Sequence, residues 1–180
     1  MKIKVDKSKI YIFIKLISFS CVIISLFAFL YIQGYRINLS DSLPYWFFKI
    51  SDSSNKPISR GDYVVVDYFL IDDNPVFKMA IDRKYIGRVP ILKQVGAVSG
   101  DTILLKDNIL YVNGDYYCNM IINSADSKGN PLFPFPTPIT LQTNQYFLVS
   151  NPDGGFDSRY FGYVPRFSIT HIALPVFDSF

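Results

Sequence analysis

A stretch of about 20 residues without a charged side chain, residues 16–35, constrains this chain more than any other feature. An apolar helix of about that length crosses the hydrocarbon core of a bilayer. Five lysines and one aspartate lie before the stretch, whereas only Arg36 follows it directly. Because positive charge accumulates on the cytoplasmic side of membranes, this asymmetry predicts a cytoplasmic N-terminus and an exported remainder.

The stretch divides the chain into three predicted segments: a basic cytoplasmic N-terminus over 1–15, a transmembrane anchor over 16–35 and an exported domain over 36–180. A cleavable secretory signal is the alternative. However, the apolar core is longer than is usual for such signals, and no small-x-small site follows it. We therefore expect a single-pass membrane protein, with the lipid bilayer as a partner and the folded domain in the periplasm or its equivalent.

Charge outside the N-terminal region is nearly balanced. The formal net charge of the chain is +3, and the lysines before the anchor account for it. A nucleic-acid-binding surface needs Lys and Arg gathered on the folded part of a protein. The charge distribution therefore predicts no nucleic-acid partner.

The composition of the exported part favours β structure. Glu is absent and Ala is scarce, so two of the strongest helix formers are lacking, whereas 13 Tyr and 16 Phe suit half-buried strands. We expect a mainly β domain of short antiparallel strands. Apolar runs bounded by turn residues predict strands over 63–70, 89–98, 102–105, 109–112, 116–120 and 146–150.

Turn residues indicate how some of these strands connect. Asn113 and Gly114 form the dipeptide that a tight, primed hairpin turn requires. Residues 123–138 contain four prolines, which cannot donate to a sheet and therefore mark a loop or an edge. We expect a small subdomain with this loop to be inserted at about 106–145. Cys21 falls in the anchor and Cys118 outside it, so Cys118 is expected to be a buried free thiol.

Residue counts exclude most catalytic and metal chemistries. The one histidine, His171, lies in an apolar run typical of a strand, so a Ser-His-Asp triad would depend on it alone and a structural role is favoured. One His, two separated Cys and scattered Asp do not form the spacing of a zinc or iron site. A glycine-rich phosphate-binding loop is also lacking. We expect no metal and no cofactor.

Lys93 interrupts the apolar face of a predicted strand. Alternate residues of a strand share one face, which here contains Val89, Ile91, Val95 and Ala97 besides Lys93. Burial disfavours the charged ammonium, so such a lysine can be neutral near physiological pH and act as a general base. The alternative is a strand covered on both faces, or a lysine that extends to the sheet edge, and the phase alone does not separate these possibilities.

Two serines, Ser40 and Ser42, lie shortly after the predicted anchor, and Pro44 restrains the turn beyond them. If Ser42 attacks a peptide carbonyl, Ser40 lies on the same side of an extended segment and can direct its hydroxyl towards the developing oxyanion. The alternative is an ordinary polar linker, in which Ser and Asp are common. The spacing alone favours the linker.

Four sequence blocks, in order behind a single anchor, resemble the type I signal peptidases, which are membrane-anchored serine-lysine proteases. The first block is most similar to the conjugative-transfer, TraF-like branch, whose signature is Asn-x-Thr/Ser-x-Ser-x-Pro. The second block resembles the family's Gly-Asp-x-Val-x-Val strand. The third resembles the block that carries the family's lysine and ends in Pro-Gly-Asp. The fourth resembles the family's Asp-Ser-Arg-Tyr-Trp/Phe-Gly core. The blocks are SDSLP at 40–44, RGDYVVV at 60–66, LKQVGAVSGD at 92–101 and SNPDGGFDSRYFG at 150–162.

The resemblance implies a partly barrel-like signal-peptidase fold and a set of site residues. Ser42 would be the nucleophile, Lys93 the neutral general base and Ser40 the oxyanion-hole donor. The substrate carbonyl would acylate Ser42, and a water activated by Lys93 would then hydrolyse the acyl-enzyme. Asp157 and Arg159 would form a structural pair near the site, and the alternative for them is a solvated surface pair that contributes little stability.

Four residues depart from the family pattern. Gln94 replaces a basic residue, Ser99 replaces Pro, and Tyr45-Trp46 stands where conjugative members usually have a residue and then Gly. These changes concern specificity and efficiency more than activity. The departures at 45, 46 and 99, together with Gly155, also motivate an alternative in which the chain is a catalytically silent, anchored β-module that binds exported partners.

Gly155 is a fifth departure, because general leader peptidases carry at this place a serine that hydrogen-bonds the lysine. Another group must then orient Lys93. Ser150 and a backbone carbonyl are the candidates.

The resemblance implies exported precursors with signal peptides as substrates, with small side chains at the first and third positions before the cut. The strand with Ile91 and Leu92 is a candidate wall for those pockets. In conjugative members the precursor is a pilin or another transfer-apparatus protein, and a general secretory signal peptidase is the alternative.

Ser42, about seven residues beyond the anchor, should act close to the bilayer. The aromatic residues 45–48 would lie at headgroup level or in the core of the first strand.

Overall fold

The computed structural model describes residues 7–39, 42–53, 56–71, 74–82, 90–126 and 128–176. Val89, from one of the predicted strands, lies outside these residues. By its internal contacts the chain divides into two units, Met1–Arg36 and Ile37–Phe180.

One long helix, α1 (Lys7–Ile32), makes up most of the first unit. Among the described residues, its stretch Ile10–Ile32 is the one helix long and apolar enough to cross a membrane, and none of it is buried inside the protein. After the helix, Arg36 Nη1 donates to the Tyr31 carbonyl at 2.7 Å. A cation stabilises this helix end, because the last carbonyls carry partial negative charge. The predicted apolar helix is confirmed, although it begins before residue 16 and ends at Ile32, three residues before the predicted end of the anchor.

The second unit is mainly β, as predicted, and its longest described helix has eight residues. Its strands are β2 (Phe47–Asp52), β3 (Tyr63–Val66), β4 (Ile91–Ala97), β5 (Thr102–Lys106), β6 (Ile109–Val112), β7 (Asp115–Asn119), β8 (Ile139–Thr140), β9 (Gln145–Val149), β10 (Val164–Pro165) and β11 (Ile169–Pro175), after β1 (Tyr35–Ile37) at the boundary between the units. Its helices are α2 (Pro75–Asp82), α3 (Ser158–Phe161) and the 3-10 helices η1 (Tyr68–Leu70) and η2 (Arg166–Ser168).

The strands of the second unit form two antiparallel sheets. The larger sheet has the order β2-β11-β3-β4-β9-β10, and the smaller has the order β7-β6-β5-β8. The smaller sheet lies between β4 and β9 in the sequence, so residues 102–140 are an insertion between two neighbouring strands of the larger sheet. This insertion overlaps the predicted subdomain.

Two tight turns connect consecutive strands of the smaller sheet. Asn113 and Gly114 have φ values of 57° and 89°, which suit a type I′ turn, and they join β6 to β7. The hairpin predicted from this dipeptide is confirmed. Asp107 and Asn108 have φ values of 53° and 61° and join β5 to β6 in a similar way, because Asp and Asn tolerate the left-handed region.

The strand predicted over 63–70 is wrong beyond Val66. The Asp67 side chain accepts a hydrogen bond from the Phe69 amide at 3.1 Å and begins η1. Short acidic side chains compete with sheet hydrogen bonds in this way. Tyr68 nevertheless packs in the main core of the larger sheet, so the apolar run indicated burial correctly.

At the end of β4 the regular alternation of side chains between the two faces is interrupted, which the strand pattern did not predict. A register shift against β9 lies between Val95 and Ala97. Ile91 and Val95 pack with the main core, whereas Ala97 belongs to a second core under the smaller sheet. Gly96 permits this, because a Cβ there would lie 2.6 Å from Val149 Cγ1. The predicted common face of the strand is therefore wrong at Ala97.

Gly162 lies where backbone and packing both require glycine. Its φ is 77°, and a Cβ there would lie 2.4 Å from the Phe135 ring. We expect Gly162→Ala to lower the free energy of unfolding by about 1–3 kcal/mol through strain and overpacking. Urea unfolding of the full chain in detergent, followed by circular dichroism, measures this. Gly129→Ala is the matched control, since Gly129 has a φ of 79° and nothing within 4 Å of an added Cβ. Equal losses in both variants would contradict the role of the Phe135 contact.

Candidate active site

Lys93 lies in β4, an interior strand of the larger sheet, between β3 and β9. Its partner in β3 is Val64, which is fully buried. The Lys93 side chain is only 6% exposed, so it is buried within the sheet and does not extend into solvent at an edge.

Burial lowers the pKa of Lys93, because desolvation disfavours the charged ammonium. The nearby Asp157 carboxylate opposes this shift, and the Arg159 guanidinium adds to it. Since these two neighbours carry opposite charges, their effects partly offset each other and burial dominates. The neutral amine, which is the form a general base requires, is therefore reached at a lower pH than in an exposed lysine.

Ser42 is half-buried and begins the turn that leads into β2. Its backbone carbonyl accepts a hydrogen bond from the Asn151 amide at 2.8 Å. The next residue, Leu43, packs in a small apolar cluster that also contains Leu92. A hydrogen bond and apolar packing thus hold the backbone of the predicted nucleophile. Ser40, the predicted oxyanion donor, lies outside the described residues.

Ser42 and Lys93 both adjoin the segment that follows β9. Gln94 lies opposite Val149, the last residue of β9, so the neighbouring Lys93 lies beside the start of that segment. The Ser42 carbonyl accepts a hydrogen bond from the amide of Asn151, which lies in the same segment. The fold brings these two predicted residues to one short piece of chain, although about 50 residues of sequence separate them.

Asp157 and Arg159 form a fully buried ion pair, and each is 0% exposed. Arg159 donates from Nε to Asp157 Oδ1 and from Nη2 to Asp157 Oδ2, at 2.8 Å in both cases. Such a bidentate pair is the strong form of an arginine-carboxylate contact. Asp157 also begins α3, where its Oδ1 accepts a hydrogen bond from the Arg159 amide. The alternative of a solvated surface pair is therefore wrong.

The other donors of Arg159 bind backbone carbonyls. Nη1 donates to Ile121 at 2.7 Å and to Pro152 at 3.0 Å, and Nη2 donates to Asn151 at 2.9 Å. The Arg159 carbonyl in turn accepts from the Phe135 amide at 2.7 Å. Arg159 thus joins the segment after β9 to the loop between β7 and β8.

Ser150 and Gly155 pack against each other at the start of that segment. Ser150 is 9% exposed, and its amide and its hydroxyl both donate to Asp157 Oδ2 at 2.8 Å. A Cβ on Gly155 would lie 1.8 Å from Ser150 Oγ and 2.9 Å from Ser150 Cβ. The Ser150 hydroxyl therefore occupies space that any side chain at position 155 would need.

The two predicted pocket residues lie on opposite faces of β4. Ile91 packs against the main core, whereas Leu92 packs in the cluster with Leu43 and the fully buried Phe48. Only Leu92 of the two therefore contacts the apolar cluster next to Ser42.

Two half-buried tyrosines in this cluster were not assigned to the site from the sequence. The rings of Tyr45 and Tyr63 meet edge to face, with their centroids 5.5 Å apart. Burial, together with the phenols of Tyr45 and Tyr117, raises the pKa of Tyr63 to about 12. The sequence carried no signal for this contact, since it depends on β11, from the far end of the chain, lying between β2 and β3 in the sheet.

The histidine and the cysteine outside the anchor both lie in strands. His171 lies in β11, as its apolar flanks predicted, and its Nδ1 is 2.9 Å from Thr170 Oγ1. Cys118 is a half-buried free thiol in β7, which confirms the predicted free state. Burial raises the pKa of Cys118, so its thiolate is disfavoured.

Comparisons with known proteins place this chain among peptidases. A family model described as signal peptidase, peptidase S26, matches residues 9–177. The plasmid transfer protein TraF of Escherichia coli is 34% identical over 158 residues, which are 81% of this chain and 84% of that protein. The conjugal transfer protein TraF of Agrobacterium fabrum is 29% identical over 153 residues, with the same shares. A solved signal peptidase I from Enterococcus faecalis is 20% identical, with a TM-score of 0.39 over 66% of this chain and 98% of that structure.

The family model spans nearly the whole chain, and the TraF relatives match most of it. An apolar N-terminal helix before a mainly β domain fits a membrane-anchored signal peptidase, as the four blocks predicted. The resemblance is confirmed, and the chain belongs to the signal peptidase family, peptidase S26.

Proposed function

We propose that this protein is a membrane-bound serine endopeptidase that removes signal or leader peptides from exported precursors, with Ser42 as nucleophile and Lys93 as general base. The observation that supports this most is the buried Lys93, whose pKa is lowered by desolvation, beside the segment that binds the Ser42 backbone. Membership of the signal peptidase family supports the class of reaction.

In the acylation step, the Lys93 amine accepts the proton of the Ser42 hydroxyl while Ser42 Oγ attacks the scissile carbonyl carbon. Ser40 is the proposed donor to the oxyanion that forms. The carbon-nitrogen bond then breaks, and the Lys93 ammonium passes its proton to the leaving amine. The product is an ester between Ser42 and the signal peptide.

In the hydrolysis step, Lys93 accepts a proton from a water molecule as the water oxygen attacks the ester carbonyl. The bond to Ser42 Oγ breaks, and the Lys93 ammonium returns its proton to that oxygen. Serine and neutral lysine are thereby restored. The Asp157-Arg159 pair takes no part in bond breaking and fixes the segment beside both residues.

The substrate we propose is a conjugative pilin precursor or another precursor of a transfer apparatus. This rests on the TraF relatives, which are named as plasmid and conjugal transfer proteins. Leu92 is the proposed wall for a small side chain next to the cut, because it packs beside the Ser42 turn in the cluster with Leu43.

We place residues 1–15 in the cytoplasm, the anchor 16–35 in the inner membrane and the domain 36–180 in the periplasm. The charge asymmetry around α1 supports this orientation. Trp46 is 70% exposed, whereas Phe48 is fully buried. One ring of the aromatic segment thus belongs to the core, and another is available to lipid headgroups.

Ser42→Ala and Lys93→Met are each expected to lower the rate of precursor cleavage by at least about 10²-fold, because each removes a group that the chemistry requires. The measurement is cleavage of a pilin precursor by the full chain, both reconstituted in vesicles, read by mass. Ser124→Ala and Lys106→Met replace an exposed serine and an exposed lysine and should cleave at the wild-type rate. Undiminished cleavage by the two site variants would refute their assignment.

A second assay separates the alternatives. An ordinary secretory precursor, offered in parallel, should be cleaved more slowly than the pilin precursor, and the reverse preference would support a general signal peptidase. An acylating inhibitor of serine-lysine enzymes should label wild type but not Ser42→Ala. Absence of both labelling and cleavage would support the silent binding module instead.

A further inference from the structure

The register of two strands points to Ser150 as a neighbour of Lys93. The last pair between β4 and β9 is Gln94 with Val149, where β9 ends. One further antiparallel step along the same register would set Ser150 opposite Lys93, with both side chains on one face of the sheet. The Cβ atoms of directly opposite residues lie about 4.5–5.5 Å apart, which is within reach of a hydroxyl and an amine.

The Ser150 hydroxyl has a fixed orientation. It donates its proton to Asp157 Oδ2 at 2.8 Å, and the Ser150 amide donates to the same oxygen. A hydroxyl whose proton is engaged still has lone pairs that accept hydrogen bonds. The carboxylate is itself held by both Nε and Nη2 of Arg159, so Ser150 Oγ can move little.

Gly155 leaves the room in which this hydroxyl lies. Its missing Cβ would lie 1.8 Å from Ser150 Oγ. The φ of Gly155 is outside the left-handed region, so its backbone does not explain the choice of glycine. The space taken by the Ser150 hydroxyl does explain it.

We infer that Ser150 is a positioning residue for Lys93: its oxygen accepts an N–H of the Lys93 amine and turns the nitrogen lone pair towards the Ser42 hydroxyl. Asp157 orients Ser150, and Gly155 makes room for it. This inference rests on the proposed function, since it gives Lys93 its direction as a base.

The first test is Ser150→Ala in the full chain reconstituted in vesicles. We expect kcat for precursor cleavage to fall by about 10²-fold with KM nearly unchanged, because a misplaced base costs rate and not binding. The acid limb of the kcat/KM profile should move to lower pH, since the lost acceptor binds the ammonium more strongly than the amine. Ser124→Ala, which replaces an exposed serine, should change none of these quantities. An unshifted acid limb in folded Ser150→Ala would overturn the inference.

The second test moves the hydroxyl from position 150 to position 155, whose side chains would share the same space. Ser150→Gly removes both atoms that a side chain at 155 would meet most closely and leaves the Asn151 carbonyl oxygen at 3.2 Å. The double variant Ser150→Gly/Gly155→Ser should recover most of the kcat and the wild-type acid limb. Gly155→Ser alone should lose stability and activity through the clash. A folded double variant that behaves like Ser150→Ala would overturn the inference.

A readout independent of catalysis separates this inference from the proposed function. Titration of the Lys93 amine by 15N NMR in detergent should show a lower pKa in Ser150→Ala than in wild type. If wild type cleaves nothing and this difference is present, the proposed function fails while the contact between the two residues stands. If wild type is active and the pKa of Lys93 is the same in both proteins, the proposed function stands and the inference fails.

Discussion

Arg159→Met is expected to lower the free energy of unfolding by about 3–5 kcal/mol, the cost of removing one partner of a buried ion pair. The Asp157 carboxylate would stay at 0% exposure without its cation. Three backbone carbonyls would also lose the guanidinium donor that they bind. Urea unfolding of the full chain in detergent, followed by circular dichroism, measures the loss.

The matched control is Arg60→Met. Arg60 also pairs with an aspartate at 2.7 Å, but its side chain is 39% exposed. The Asp101 side chain is only 10% exposed, but it keeps the hydrogen bonds from the Val98 amide and from Asn113 Nδ2 when Arg60 is replaced. Because half-exposed pairs contribute little, this variant should lose much less free energy of unfolding than Arg159→Met. If the two variants lost the same free energy, burial of the Asp157-Arg159 pair would have no bearing on stability.

Lys93→Met is expected to have opposite effects on activity and on stability. Cleavage should be lost, because Lys93 is the general base of the proposed function. The free energy of unfolding should rise by about 1–3 kcal/mol near neutral pH, because a buried amine is replaced by an apolar side chain of similar volume. The same urea experiment, run beside the cleavage assay, measures both quantities.

The gain from Lys93→Met should depend on pH with a defined sign. The folded pKa of Lys93 is lowered by burial, whereas the unfolded chain has the ordinary lysine value of about 10.4. Between these two values the unfolded chain binds more protons, so the free energy of unfolding of wild type rises with pH. The variant has no titrating amine at position 93, so its free energy of unfolding lacks this dependence on pH. Its advantage should therefore be greatest below the folded pKa of Lys93 and should shrink as pH rises towards the ordinary value.

Lys106→Met controls for the loss of a positive charge, since Lys106 is exposed in β5. Its stability should stay close to that of wild type. A Lys93→Met variant less stable than wild type across the pH range would contradict the account, because it would mean that the buried amine contributes net stabilising contacts.

Much of the secondary structure follows from local pattern. The uncharged stretch predicted α1, and the Asn113-Gly114 dipeptide predicted the hairpin between β6 and β7, because each signal lies within one segment. Lys93 was recognised by its phase among apolar neighbours, and it is buried as that phase allowed. The ends of elements were less predictable, since the Asp67 side chain ends β3 through a hydrogen bond that strand patterns do not contain.

The contacts that shape the site are not local. In the sequence, Asp157 and Arg159 look like an ordinary surface pair. Burial of the guanidinium is tolerable because, besides Asp157, the carbonyls of Ile121, Asn151 and Pro152 accept its hydrogen bonds. These carbonyls come from a loop and a turn that the fold brings together. Sequence reasoning gave Ser150 as one of two candidates for orienting Lys93, and only the register of β4 against β9, which pairs Gln94 with Val149, favours it over the other.

Positions 150 and 155 share one small volume, and this constrains the order in which they can change during evolution. A side chain cannot be added at 155 while Ser150 keeps its own, because the two would overlap. Ser150 can first be reduced to glycine, but that intermediate lacks a hydroxyl beside Lys93. Under the role inferred for Ser150, a lineage that moves the hydroxyl from one position to the other must therefore pass through a less active protein or change both codons together. Homologues are expected to carry a side chain at one of the two positions and glycine at the other.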